Sequence, residues 1–184
     1  AVAKTDADTV PEVQALADSG NTTAAALEKI ANYADLNTNP APTVQDYLDA
    51  GIIGVDAANL AAVNAKVDAV AKVDADTVPE VQALADAGNT TADTALEKIA
   101  NYADSNTNPA PTVQDYLDAG ITGVDAANLN AVNAKVDAVA KTDADTVPEV
   151  QALVDAGNIT ADTALAKIAN YADSNTNPAP TVQD

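Results

Sequence analysis

Pairs of aspartates separated by a single alanine are the residues of this chain with the clearest potential for chemistry. They occur three times, as Asp6/Asp8, Asp74/Asp76 and Asp143/Asp145. Alternate carboxylates on an extended stretch can present oxygen atoms to a hard cation, and calcium accepts such ligands in flexible geometry. These segments lack the glycine and the terminal glutamate of an EF-hand loop. The pattern therefore favours solvated connectors whose charge lies beside helix N-termini, with calcium binding by these six aspartates as the alternative.

Residue types that carry catalysis are otherwise scarce. Histidine and cysteine are absent, and no glycine-rich phosphate loop follows a strand pattern. Paired carboxylates do acid and base work where their environments separate their pKa values, but here they recur on polar stretches of every copy. The sequence predicts no enzyme, and no cofactor apart from the calcium alternative.

Asparagine-rich runs and tyrosines have simple structural interpretations. We interpret the Asn-Thr-Asn-Pro runs at 37–40 and 106–109 as turns, and the sequons beginning at Asn21, Asn89 and Asn158 as turn and cap residues. The five tyrosines lie on apolar faces at helical spacing, which predicts core positions with hydrogen-bonded hydroxyls. They are Tyr33, Tyr47, Tyr102, Tyr116 and Tyr171.

The charge of the chain excludes several classes of partner. Aspartate and glutamate number 28 against 8 basic residues, which gives a formal net charge of −20. Such a surface cannot neutralise phosphates, so we expect no nucleic-acid partner. Anionic membrane surfaces are disfavoured for the same reason, and no apolar run is long enough to predict membrane insertion.

One sequence unit is written almost three times in this chain. It opens as AVAKTDADTVPEVQAL at Ala1, and close copies open at Ala69 and Ala138. The predicted domains are helical repeats at 1–68, 69–137 and 138–184, the last of them truncated. Because the chain begins and ends within a unit, we expect it to be a piece of a longer array.

The second copy predicts four helices in each unit. Their predicted starts are Thr77, Thr91, Thr112 and Asp125. A capping box marks the first start, and Gly88 and Gly120 are predicted to end the first and third helices. Two prolines end the second helix before 105–111. The fourth helix is predicted to be the long one, because its apolar residues continue to Val139 at helical spacing.

These helices predict an all-α fold built as a tandem array of helical hairpins. A hairpin of this size cannot bury its apolar face alone, so neighbouring hairpins must stack. The short connectors between units favour an elongated rod or solenoid over beads on a flexible string. The predicted partners of each repeat are therefore the neighbouring repeats of the same chain.

The segment from Thr112 to Ala134 resembles the tandem helical repeats of very large bacterial cell-surface proteins of the repetitive adhesin type. It reads TVQDYLDAGITGVDAANLNAVNA, and the likeness extends over all the copies. The resemblance implies an extracellular location at a bacterial surface. It also implies a passive stalk that holds an adhesive domain away from the cell, with any adhesive ligand bound elsewhere in the full protein.

Two other functions remain open at this point. The first is a helical-repeat binding module for a protein or a glycan, which requires a deep groove lined by exposed tyrosine. The second is an extender that calcium stiffens at the acidic connectors. Near-identity of the copies favours a spacer or a multivalent weak binder over a single specialised site.

Overall fold

The computed structural model describes residues 8–35, 38–105, 107–172 and 177–181. Over these residues it is all-helical, without a β-strand, which confirms the predicted all-α class. The helices are α1 (Val10–Tyr33), α2 (Val44–Asp49), α3 (Leu60–Asp68), α4 (Val78–Tyr102), α5 (Val113–Asp118), α6 (Leu129–Asp137) and α7 (Val147–Ala172). Short 3₁₀ turns at Lys72–Asp74 and Lys141–Asp143 precede α4 and α7.

Threonine caps begin α4 and α5 as predicted. The Thr77 hydroxyl donates to Glu80 Oε2 at 2.6 Å, and the Thr77 amide donates to the same oxygen at 3.1 Å. At Thr112, the side chain accepts from the Asp115 amide while Asp115 accepts from the Thr112 amide, which completes a capping box. These bonds satisfy amides that the first helical turn leaves unpaired. Local sequence alone therefore determines where these helices begin.

The predicted helix end at Gly88 is wrong, because α4 continues through this residue to Tyr102. A Cβ atom built on Gly88 would lie 2.6 Å from the Cα atom of Val63 in α3. The glycine is therefore present so that two helices can approach closely, and it does not end a helix. The start predicted at Thr91 is also wrong, because Thr91 lies inside α4. One long helix therefore replaces the first two of the four helices predicted in each unit.

The long fourth helix predicted from Asp125 is also wrong, since α6 spans only Leu129–Asp137. The Asp125 carboxylate accepts from the amides of Ala127 and Asn128, at 2.8 and 3.1 Å. These bonds close a turn before the helix, as a short acidic side chain does when it competes with helical hydrogen bonding. Val139 lies beyond the helix, and its carbonyl accepts from the Asp104 amide at 2.8 Å.

The chain divides into two compact units between Thr90 and Thr91, inside α4. The repeat boundaries predicted from the sequence follow its copies rather than the packing of the chain, and they stay a prediction. The core of the first unit consists of Ala26, Ile30, Ala34, Tyr47, Ala50, Ile52, Val63, Val67, Ala75, Val81 and Ala85. The core of the second unit consists of Ala95, Ile99, Ala103, Tyr116, Ala119, Ile121, Val132, Val136, Ala144, Val150 and Val154. Each residue of the second set lies 69 positions after its counterpart in the first.

Tyrosine and asparagine form a buried polar pair inside each core. The Tyr47 hydroxyl donates to Asn64 Oδ1 at 2.7 Å, and Asn64 Nδ2 donates to the Pro42 carbonyl at 3.0 Å. Tyr116 and Asn133 make the same bond at 2.7 Å in the second unit. Because buried polar groups are costly without partners, these pairs fix the register of α2 on α3 and of α5 on α6. They confirm the predicted core position for these two tyrosines.

The glycine contact predicts opposite effects of one substitution at two equivalent positions. Gly88→Ala should destabilise the protein by about 1–3 kcal/mol, because the new methyl group overlaps Val63. Gly20→Ala should stabilise it by about 0.5–1 kcal/mol, since nothing lies within 4 Å of that position and alanine favours a helix. Urea denaturation followed by circular dichroism measures both effects. Equal effects of the two substitutions would contradict the close-approach explanation.

Candidate functional site

The acidic connectors place their carboxylates outward on either side of a buried alanine. Asp74 ends a 3₁₀ turn, Ala75 is fully buried in the core of the first unit, and Asp76 is exposed again. Asp143 and Asp145 flank the buried Ala144 in the same way. Asp8 is exposed, and Asp6 lies outside the described residues. The alanine of the motif therefore anchors the connector, and the aspartates face solvent.

Cation binding by these aspartates stays a prediction. Within residues 8–35, 38–105, 107–172 and 177–181, no group of three or more carboxylates converges in an arrangement able to hold a metal ion. A calcium ion takes six to eight oxygen ligands. At each connector the two aspartates would thus have to be supplemented by backbone carbonyls, by water or by another chain.

A lysine attaches each connector to the preceding long helix. Lys72 Nζ donates to Asn32 Oδ1 at 2.5 Å, and Lys141 Nζ donates to Asn101 Oδ1 at 2.6 Å. The Asp35 amide donates to the Val70 carbonyl at 2.9 Å, so the end of α1 is bound to the same region. The connector is thus held by a buried side chain, a lysine and a backbone bond.

The asparagines of the proline-containing loops hold the ends of the long helices. Asn39 Nδ2 donates to the Asn32 carbonyl at 2.5 Å, and Asn108 Nδ2 donates to the Asn101 carbonyl at 2.6 Å. Such a bond satisfies one of the carbonyls that the last helical turn leaves open. Asn37 and Asn106, which belong to the same predicted turns, lie outside the described residues.

The sequon asparagines do not form turns, contrary to the prediction. Asn21, Asn89 and Asn158 all lie inside long helices. Asn158 Oδ1 accepts from Asn128 Nδ2 at 2.7 Å, and its own Nδ2 donates to the Gly123 carbonyl at 3.2 Å. In the second unit this asparagine thus bonds to the turn that precedes α6.

A shallow groove, which the sequence did not predict, lies beside the end of a long helix in each unit. In the first unit the groove has a volume of about 350 Å³ and is lined by Ala25, Glu28, Lys29, Asn32, Asn39 and Pro40. In the second unit the volume is about 510 Å³, and the lining is Thr94, Glu97, Lys98, Asn101, Asn108 and Pro109. In the sequence, the groove corresponds to a repeated Glu-Lys-Ile-Ala-Asn run that is followed by Asn-Pro, and this repetition was the signal that could have predicted it.

An ion pair lies at the side of each groove. Lys29 Nζ lies 2.5 Å from Asp46 Oδ2, and Lys98 Nζ lies 2.5 Å from Asp115 Oδ2. Burial alone would raise the pKa of Asp46, but hydrogen bonds from Lys29 and Thr43 outweigh it and hold the pKa below its usual value. The same balance, with Lys98 and Thr112 as donors, lowers the pKa of Asp115. These two lysines therefore stabilise the fold by binding the aspartates of the helix caps.

Tyrosine does not line either groove. Burial raises the pKa of the Tyr47 and Tyr116 hydroxyls well above the usual value, with smaller contributions from neighbouring tyrosines and aspartates. Tyr33 is half-buried, and its pKa is raised as well, mainly by burial and to a smaller extent by the negative charge of Asp68. Tyr171, by contrast, is exposed on α7. The grooves thus offer polar contacts, without an aromatic surface on which a sugar ring could stack.

Comparison with protein-family models, with curated proteins and with solved structures finds no match to this chain. Among the residues that the structure describes, none of the helices combines the length and hydropathy needed to cross a bilayer.

The lowered pKa values predict an acid-sensitive contribution to stability. A carboxyl whose pKa is lower in the folded state stabilises the fold above its unfolded pKa of about 4 and loses this effect as the pH falls through the lowered value. The double variant Asp46→Asn, Asp115→Asn should therefore be less stable than wild type at pH 7, and this difference should shrink below about pH 4. Denaturation with urea across this pH range measures the difference. Asp93→Asn, an exposed change on α4, is the control, and an equal pH dependence there would contradict the assignment.

The buried tyrosines predict a delayed alkaline titration. Because their pKa values are raised in the folded state, the stability that they contribute is present below the unfolded value of about 10 and declines as the pH rises above it. Tyrosinate absorbance should therefore show Tyr47 and Tyr116 ionising together with alkaline unfolding. The variant Tyr47→Phe, Tyr116→Phe should lack this late step. If the variant still showed a late absorbance step as large as that of wild type, the step would come from other tyrosines and the prediction would be wrong.

Proposed function

We propose that this chain is a passive spacer, in which helical units stack into an elongated array that extends an adhesive domain from a bacterial cell surface. The proposal has two parts, which are a mechanical role for the repeats and a location outside the cell. The first part is supported by the geometry of the units. The second is supported by the resemblance of the repeats to those of giant repetitive adhesins.

The observation that carries the mechanical role is the repetition of the core. Eleven buried positions of the first unit recur 69 residues later in the second unit. Ten of the eleven pairs keep the same residue, the exception being Ala85 and Val154. A specialised site would break this symmetry in one copy, whereas a stack whose length scales with copy number requires it.

The helix α4 supports an array of this kind because it belongs to both cores. Val81 and Ala85, near its start, pack in the first unit, while Ile99 and Ala103, near its end, pack in the second. A helix of 25 residues is about 37 Å long. Since no loop separates Ala85 from Ile99, no flexible linker lies between these parts of the two cores.

The connectors before α4 and α7 support the same conclusion. Each is short, contains a buried alanine, and is attached by a lysine to the preceding long helix. Flexible linkers carry glycine and serine and lack such contacts.

The net charge of −20 adds a second property, because neighbouring stalks of this composition repel one another. Dense display on a surface would therefore leave the stalks separated.

The repeated groove favours a second candidate function, that of a multivalent weak binder. Both units carry the groove at equivalent positions, and its polar residues could form hydrogen bonds with a glycan or a peptide. Two features weigh against this alternative. The groove is shallow, and Tyr47 and Tyr116 are buried in the core.

Small-angle X-ray scattering on chains of different copy number tests the spacer. The natural chain is compared with chains that carry one and two additional copies of residues 69–137. We expect the maximum dimension to grow by a constant increment while the cross-section stays the same. A cross-section that grows with copy number would overturn the rod.

The same scattering experiment separates the alternatives when it is repeated with calcium and with a chelator. Extension that depends on calcium would support the stiffened extender. Extension that is insensitive to chelation supports the plain spacer. Titration of a glycan library against the longest chain tests the binding module, since multivalent binding gains apparent affinity with each added copy.

A further inference from the structure

The last part of α7 exposes residues that are buried in the equivalent part of α4. Leu165, Ile168 and Tyr171 are 60%, 43% and 46% exposed. Their counterparts 69 positions earlier are Leu96, Ile99 and Tyr102, of which Ile99 is fully buried and the other two are partly buried against the core. The two helices carry the same apolar side chains here, so the difference comes from what covers them. We call the exposed set, Leu165, Ile168 and Tyr171, the α7 face.

The structure shows what covers the equivalent face of α4. Ile99 belongs to one buried cluster with Tyr116 and Ile121, from α5 and the turn after it, and with Val132 and Val136 of α6. The hydroxyl of Tyr116 is bound to Asn133, so α5 and α6 reach this face as one hydrogen-bonded pair. The cover is therefore a helical hairpin within residues 112–137.

Polar residues repeat along with the apolar face. Lys98 of α4 binds Asp115 beside the cap of α5, and Lys29 of α1 binds Asp46 in the same way. The equivalent residue on α7 is Lys167. A lysine of α1 and a lysine of α4 thus each bind the residue at the third position of the short helix that follows. α7 carries the same lysine at the same spacing.

The first part of α1 gives an independent check on this comparison. Val13 is 50% exposed there, whereas its counterpart Val81 is fully buried in the core that contains Val63 and Val67 of α3. Nothing lies within 4 Å of the position where Gly20 would carry a Cβ atom, whereas Gly88 at the same place contacts Val63. These apolar side chains are buried where a helix of the α3 or α6 type covers them and exposed where none does.

We propose that the α7 face is a docking surface for the α5–α6 hairpin of another copy of this repeat. The occupant is a segment with the sequence of residues 112–137, which would place the residues equivalent to Tyr116, Val132 and Val136 on Ile168. This inference rests on the stacking of units in the proposed function and names the partner of the α7 face. It does not depend on where the protein is located.

A binding experiment with the hairpin peptide tests the docking surface directly. A synthetic peptide of residues 112–137 is titrated into the full chain by isothermal titration calorimetry. We expect saturable binding of one peptide per chain, weakened at least tenfold by Ile168→Asp in the protein or by Val136→Asp in the peptide. The control is Ile159→Asp, which changes the same residue type on the same helix at a site that is 69% exposed and whose counterpart Thr90 is also exposed. Binding to this control should stay within twofold of wild type.

A chain extended beyond Asp184 by the sequence of residues 116–145 provides a second measurement that does not require the peptide to fold alone. We expect hydrogen exchange of the amides of Leu165–Ala172 to slow at least tenfold, with Ile168→Asp reversing this protection and Ile159→Asp leaving it. Absence of both peptide binding and protection, or equal effects of the two substitutions, would overturn the docking surface. Failure of the spacer has a different signature, because docking would persist while the maximum dimension failed to grow with copy number.

Discussion

The close approach of two helix backbones at a glycine is the contact on which each unit depends. A Cβ atom at Gly88 would lie 2.6 Å from Val63 Cα, and one at Gly157 would lie 2.8 Å from Val132 Cα. The chain has no phenylalanine, tryptophan or methionine, so its cores consist largely of alanine, valine and isoleucine. Small side chains each bury little area and fill a core only when the helices lie close together. The glycine permits that distance and thereby brings the remaining core residues into contact.

This constraint explains why the buried positions repeat with so little variation. A close-packed interior responds to a single added methylene group, which favours keeping the same residue at each core position, and only Ala85 and Val154 depart from this requirement among the eleven pairs. Exposed positions are free of this requirement, and Thr90 and Ile159 differ at one such position. The pairing of Tyr47 with Asn64 adds a directional bond that only one register satisfies. Packing and polar pairing thus specify the same arrangement in both units.

The residues with the clearest potential for chemistry turn out to have structural positions. In the Asp-Ala-Asp motif the alanine is buried and the aspartates are exposed, which is a sufficient reason for the spacing. Lys29 and Lys98 bind aspartates in helix caps, and the loop asparagines bind helix ends. The grooves beside these residues are therefore lined by groups that already hold the fold together. This arrangement is consistent with the proposed role of the units as mechanical elements.

The sequence by itself determined the helical class, the repetition and those helix starts that a capping box marks. Capping boxes act over three residues, so Thr77 with Glu80 and Thr112 with Asp115 were predictable without any tertiary contact. Tyr47 and Tyr116 were predictable as core residues, because helical spacing places them on an apolar face.

Tertiary structure alone decided what Gly88 and Asp125 do and which apolar faces are covered. Glycine ends a helix or permits close packing according to whether another helix lies against it, and that helix, α3, is distant from Gly88 in sequence. Asp125 begins a helix or closes a turn according to which amides reach its carboxylate. Ile99 and Ile168 occupy matching local sequences, yet one is buried and the other exposed. Burial depends on the presence of a neighbouring hairpin, which local sequence does not encode.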